Sequence, residues 1–267
     1  MPRSLTAARV RGVVLFALCA LAPACVFAQG FSALVSPPRF EDRVRPGTVY
    51  RNVVEITNVS GAAARYALKT ADWHLDAQGT AVFDDALAPG SCRPWVGLEA
   101  AQIQVAANGK RRYRFEVAVP ADAPVGECRF AILLEGEPES VGGAMALPVS
   151  GRIGIIVYLG VGDAAAQLRL LGTSVGANKL PLLQVRNEGN AHSRLEGLID
   201  GTDGNGRKLS FMPDSVPLMP GETRMVALNP QADDANSAAP AVVYPLQLKG
   251  TLDWDKQRLP IDTRLTP

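Results

Sequence analysis

Apolar and polar residues alternate along short segments of this chain, most regularly between Met145 and Leu159. In this segment the apolar positions are Met145, Leu147, Val149, Ile153, Ile155, Val157 and Leu159, with only Gly151 breaking the series. Such alternation is typical of a β-strand with one apolar face. Pro148 has no N–H to donate to a neighbouring strand, so the segment is predicted to be an edge strand.

Similar short patterns recur along the whole chain. The 20 prolines and 25 glycines separate runs rich in Val, Ile, Leu and Thr, and no amphipathic helix of three turns stands out. This arrangement favours an all-β sandwich over alternating strands and helices. Further strands are predicted at 50–57, 64–72, 110–119, 128–135, 182–187, 195–200, 223–228 and 242–251.

A weak internal repeat predicts that the chain holds two such sandwiches. The segment VVEITNVSGAAARYAL is echoed by PLLQVRNEGNAHSRLEG, and ANGKRRYRFEVAVP by MPGETRMVALNP. The members of each pair share element order and turn chemistry more than identity. We expect two immunoglobulin-like domains in tandem, over 29–163 and 164–267, with the boundary in GVGDAAAQ.

The N-terminal residues predict export. Three arginines precede an apolar run from Val13 to Phe27, and small residues end it, which is typical of a signal peptide over 1–28 cleaved after Ala28. A lipoprotein site at Cys25 is the alternative interpretation. No other stretch is apolar for long enough to cross a bilayer.

Charge and cysteine content narrow the class of protein. Without the three leader arginines, 24 of the 27 basic residues remain beside 26 acidic ones, a net charge of −2. This balance gives no electrostatic reason to expect a nucleic acid or an anionic membrane surface as partner. Cys92 and Cys128 would be the mature chain's only cysteines, and in an exported protein we expect them to form a disulfide.

No motif predicts catalysis, a cofactor, a metal or a small-molecule substrate. The chain has no Gly-x-Ser-x-Gly elbow, His-Glu-x-x-His, Walker loop or dinucleotide fingerprint. His74 and His192 are interpreted as solvated residues near turns, too few for a zinc site. DGTDGNGRK at 200–208 is interpreted as a hairpin turn because it lacks the calcium-loop spacing.

Two arginines are candidates for binding. Arg39 follows Pro37-Pro38, and Arg152 lies on the face of the long strand opposite its apolar row. Both could be ordinary exposed charges on a sheet. Alternatively, they meet near the domain junction and hold a carboxylate, which suits the guanidinium fork.

Several segments, in this order, resemble the periplasmic pilus-assembly chaperones of the chaperone/usher pathway, the PapD-like family. SPPRFEDRVRPG is similar to that family's first strand, RYALKTADWHLDAQG to its Ala-x-Trp strand, and VAANGKRRYRFEVAVP to the strand that follows. CRFAILLEGEP and MALPVSGRIGIIVYL are similar to its last two strands.

The resemblance implies a pilin-like fibre subunit and an outer-membrane usher as partners. Met145, Leu147 and Val149 would enter the groove of an incomplete subunit, and Arg39 would hold the subunit's C-terminal carboxylate. The second anchoring residue is a lysine in the family, and Gly154 stands at that place here. Arg152, on the same strand face, is the expected substitute.

Other interpretations remain open at this point. Alternation alone usually means that apolar residues face a core, so Met145, Leu147 and Val149 could be ordinary core residues. The chain could also be an exported structural or adhesive protein without chaperone activity. A bare edge strand further permits self-association.

Overall fold

A computed structural model describes residues 31–137, 139–141, 147–232, 234 and 237–266. These residues form two immunoglobulin-like β-sandwiches in tandem, with one short 3₁₀ turn at Arg93–Trp95. The all-β fold and its two tandem domains are as expected from the strand patterns and the internal repeat. Within the described part, no helix is long and apolar enough to cross a membrane.

Among the described residues, the first sandwich has twelve strands. They are β1 (Ala33–Ser36), β2 (Arg39–Val44), β3 (Val49–Asn58), β4 (Ala64–Leu75), β5 (Ala81–Asp84), β6 (Val96–Leu98), β7 (Gln102–Val105), β8 (Lys110–Ala118), β9 (Gly126–Gly136), β10 (Glu139–Val141), β11 (Leu147–Val149) and β12 (Arg152–Val161). One sheet has the order β1-β3-β8-β6. The other has the order β2-β12-β9-β4-β5, with β7 also on β4, and β10 and β11 form a separate two-stranded sheet.

The first core lies between these two sheets. Its largest fully buried side chains include Tyr113, Phe130 and Leu159. Cys92 and Cys128 form the predicted disulfide at the edge of this core. The bond fixes the segment before β6 to β9, across a sequence separation of 36 residues.

The first segment of the chain contributes to both sheets. β1 pairs antiparallel with β3, and after the cis Ser36–Pro37 bond β2 pairs parallel with β12. The two consecutive prolines separate these strands, because Pro37 and Pro38 offer no N–H for continuous pairing. As a result, β2 begins beside the middle of β12 and not beside its start.

The part of the second sandwich that the structure describes has seven strands. They are β13 (Leu168–Val175), β14 (Pro181–Asn187), β15 (Ile199–Thr202), β16 (Lys208–Pro213), β17 (Thr223–Pro230), β18 (Leu246–Trp254) and β19 (Gln257–Leu265), in the order β13-β14-β17-β16-β15-β18-β19. The predicted hairpin at 200–208 is confirmed, and Asp203 accepts the backbone N–H groups of Asn205 and Arg207 in its turn. A separate core contains Phe211 and Leu246.

Three predicted strands differ clearly from the observed bounds. The strand predicted at 242–251 begins only at Leu246, because Pro245 has no N–H to donate to a neighbouring strand. The strand predicted at 145–159 is interrupted at Ser150 and Gly151, where the ring of Phe31 packs against Gly151 and leaves no room for a Cβ atom. The strand predicted at 195–200 begins only at Ile199, because Gly197 has φ +99° and the residues before it form isolated bridges.

Candidate functional site

β12 has partners on both sides along only part of its length. The residues from Ile156 to Val161 lie between β2 and β9, and the Ile156 N–H donates to the Pro38 carbonyl at 3.1 Å. Those from Arg152 to Ile155 pair with β9 alone among the described strands. We call the side of Arg152–Ile155 that faces away from β9 the open edge.

The open edge presents backbone groups in a defined pattern. In a strand, successive residues direct their N–H and C=O groups to opposite sides. Since Ile156 points its N–H toward β2, Gly154 and Arg152 point theirs to the same side, beyond the end of β2. The arrangement offers a short template for an added strand.

The predicted binding residues lie just before the open edge. Leu147 and Val149 belong to β11, which pairs with β10 in a separate two-stranded sheet, and the structure describes them by their backbone alone. Met145 lies outside the described residues. The binding role of these three residues stays a prediction.

β12 has buried side chains on both of its faces. Ile155, Val157 and Leu159 are fully buried in the first core, as their parity predicted. On the opposite face, Tyr158 is buried beside Trp73, and their rings meet edge to face at 5.3 Å. Tyr158 lies on the same face as Arg152, opposite the apolar row. An aromatic residue at this position is the signal in the sequence that this face, too, is covered.

Gly154 stands where the family resemblance implies a lysine. A Cβ atom at this position would overlap the ring of Phe83, which comes from β5 and lies across the sheet. The guanidinium of Arg152 lies 5.5 Å from the centre of that same ring. Phe83 therefore fills the space into which a lysine side chain would extend, a packing that no motif in the sequence indicated.

The two candidate arginines have separate counter-ions. Arg39, 51% exposed, bonds Glu41 through Nε at 2.7 Å, and Arg152, 43% exposed, lies 3.7 Å from Glu135. Arg39 is level with Ile156, four residues along β12 from Arg152, or about 13 Å at the usual strand rise. Both arginines sit on the outer face of the same sheet, and each has its own glutamate. That they hold one carboxylate together stays a prediction.

The contact between the sandwiches was not expected from the sequence. The expectation that His192 is solvated is wrong: its side chain is 8% exposed and its ring stacks on Tyr158, with ring centres 3.6 Å apart. His74, by contrast, is exposed on β4. A short-range pattern could not reveal this difference, since the burial of His192 comes from strands of the other sandwich.

Charged groups surround this contact. Glu127 binds both the backbone N–H of His192, at 3.0 Å, and its ring Nδ1. Glu41 accepts a hydrogen bond from Arg194 at 2.9 Å. The neighbouring His192 ring, 3.6 Å away, together with Arg194 and Arg39, lowers the pKa of Glu41 to about 2.

No group of His, Cys, Asp and Glu side chains suited to a metal ion occurs among the residues that the structure describes. The chemistry that the site offers is instead pairing with a backbone at the open edge and charge interaction at Arg39 and Arg152. Both are means of recognising another polypeptide.

No protein-family model and no curated protein matches the sequence. Among solved structures, the chain is similar to the YadV chaperone, with 10% identity, TM-score 0.48 and coverage of 88% of this chain and 100% of that one. It is also similar to a chain of the Salmonella enterica SafA pilin–SafB chaperone complex and to the E. coli chaperone DraB. For both, identity is 13%, TM-score 0.47 and coverage 90% and 99%.

Proposed function

We propose that this chain is a periplasmic chaperone that binds and stabilises a pilus or fibre subunit. In this proposal it lends an edge strand to the subunit and delivers it to an outer-membrane usher. The leader over 1–28 would direct export, and the domains would span 29–163 and 164–267. The two separate cores, one ending at Val161 and the other starting at Ala166, support that division.

The open edge of β12 is the observation that carries the proposal. Natural sheets normally cover or blunt their edges, because bare N–H and C=O groups template aggregation. Here β2 covers β12 only from Ile156 onward, and β11 directly precedes β12 in the chain. An incoming strand along 145–155 would gain main-chain hydrogen bonds, with Met145, Leu147 and Val149 setting its register.

The carboxylate anchor is proposed to be Arg39, with Arg152 as a second, separate contact. Each guanidinium is about half exposed and already bonded or close to one glutamate, so an incoming carboxylate would compete with Glu41 or Glu135. Because Phe83 packs on Gly154, the lysine contact of the resembled family has no equivalent at that position.

Co-expression with subunits encoded by neighbouring reading frames tests this function. The wild type should co-purify with one of them, and Leu147→Glu and Arg39→Ala should each reduce the recovered subunit at least tenfold. Leu171→Glu, at an exposed leucine of β13, and Arg51→Ala, at an exposed arginine of β3, are matched controls that should retain it. If the complex persists in both Leu147→Glu and Arg39→Ala, the proposed binding site is wrong. If the chain is instead retained on the cell surface, the alternative of a structural or adhesive protein is favoured.

A further inference from the structure

His192 is an enclosed imidazole at the contact between the sandwiches, with a side chain only 8% exposed. It follows β14 in the second sandwich, yet its surroundings come from three strands of the first. Tyr158 of β12 stacks on one face of the ring, Glu127 of β9 binds Nδ1, and Glu41 of β2 lies 3.6 Å from Nε2. One side chain therefore joins the second sandwich to three strands of the first sandwich.

Other charged groups face this ring as well. From its own loop, Arg194 lies 3.3 Å from Nε2 and also donates to Glu41. From the first sandwich, Arg39 bonds Glu41, and Arg129 lies 3.6 Å from Glu127. The carboxylate of Glu127 is only 4% exposed, and its Oε1 accepts no hydrogen bond from the described residues.

We propose that His192, in its protonated form, is a pH-dependent latch that holds the two sandwiches in one relative orientation. The imidazolium presents a cation to Glu127 through Nδ1 and to Glu41 through Nε2. Deprotonation removes a positive charge from between the two carboxylates. The buried Glu127 then loses its closest cation and keeps only the more distant Arg129, at 3.6 Å, among the described residues, which destabilises its charge. The neutral form therefore weakens the contact between the sandwiches.

The direction of the titration agrees with this geometry. Burial alone would lower the pKa of His192, but the hydrogen bonds and charges of Glu127 and Glu41 outweigh it and raise the pKa above its ordinary value. The latch thus contributes its full stabilisation below about pH 6.5, the unfolded value, and loses it as the pH rises through the folded pKa. The lowered pKa of Glu41 keeps that partner ionised throughout this range.

Histidine-labelled NMR on the full chain tests the latch without any subunit. The chain has two histidines, so the His192 ring signal can be assigned with His192→Gln, and His74 provides a second signal in the same sample. Backbone relaxation then gives a rotational correlation time for each sandwich. Glu127→Gln, which keeps an acceptor but removes the charge, is the second variant, and His74→Gln is the matched control.

We expect the His192 ring to titrate above the ordinary histidine value and Glu127→Gln to lower its midpoint. The two correlation times should agree at pH 6, shorten and diverge as His192 deprotonates, and already differ at pH 6 in His192→Gln. A His192 midpoint at or below the ordinary value would overturn the latch. So would correlation times that stay equal across the titration in the wild type and in Glu127→Gln.

Discussion

The turn after Asn58 in the first sandwich and the turn after Asn187 in the second are held by the same side chain in the same way. Each asparagine is fully buried and donates to the carbonyl four residues later, Ala62 at 2.7 Å and Ala191 at 2.8 Å. Each also accepts the N–H two residues later. The weak sequence repeat therefore reflects a turn that a buried asparagine stabilises in the same way in both sandwiches.

The two sandwiches differ in how their sheets end. In the second, the terminal strands β13 and β19 approach each other, and Thr173 and Thr263 share a hydrogen bond of 3.0 Å. In the first, β2 pairs with six of the ten residues of β12 and leaves Arg152–Ile155 open on one side among the described strands. The two sandwiches have similar cores but differ at their edges. The proposed binding function is therefore assigned to the open edge of the first sandwich and not to its core.

The largest difference between the sandwiches should come from the disulfide, which only the first sandwich contains. Replacing Cys92 and Cys128 together by alanine should lower the free energy of unfolding of the first sandwich by about 3 to 4 kcal/mol, on the chain-entropy model for a loop of this length. Urea titration followed by NMR peaks from each sandwich measures this. An equal loss in both sandwiches would show that they unfold as one unit.

The shared asparagines should give a smaller and symmetrical effect. Asn58→Ala and Asn187→Ala each leave buried backbone groups without their partner, so each should cost about 2 to 3 kcal/mol in its own sandwich. The same urea titration measures the free energy of unfolding of each sandwich in both variants. If only one substitution is costly, the two turns are not equivalent.

The smallest expected effect lies at Gly154. An added methyl group would overlap the Phe83 ring, so Gly154→Ala should cost about 1 to 2 kcal/mol through overpacking. Gly172→Ala in β13 is the matched control. A Cβ atom added there would lie 3.6 Å from the Gln184 side chain, which is an ordinary van der Waals contact. Similar stabilities for the two variants would mean that Phe83 moves away freely.

The local pattern of apolar and polar residues predicted much of the fold. Features that depend on which strands pair with each other could not be predicted from it. Parity placed Ile155 and Val157 in the core, because alternation fixes which face a side chain takes. It could not show that β2 starts opposite Ile156, or that Glu135 lies beside Arg152, since both depend on how separate strands pair in the folded chain. His192 was misjudged for the same reason.

Hydrogen exchange at the open edge is the most direct test of the central claim. In the free chain, the Arg152 and Gly154 amides should exchange quickly while the Ile156 amide stays protected by Pro38. In the complex with a co-purified subunit, Arg152 and Gly154 should become protected as well. Protection of both amides in the free monomer, or fast exchange of both in the complex, would contradict strand addition at β12.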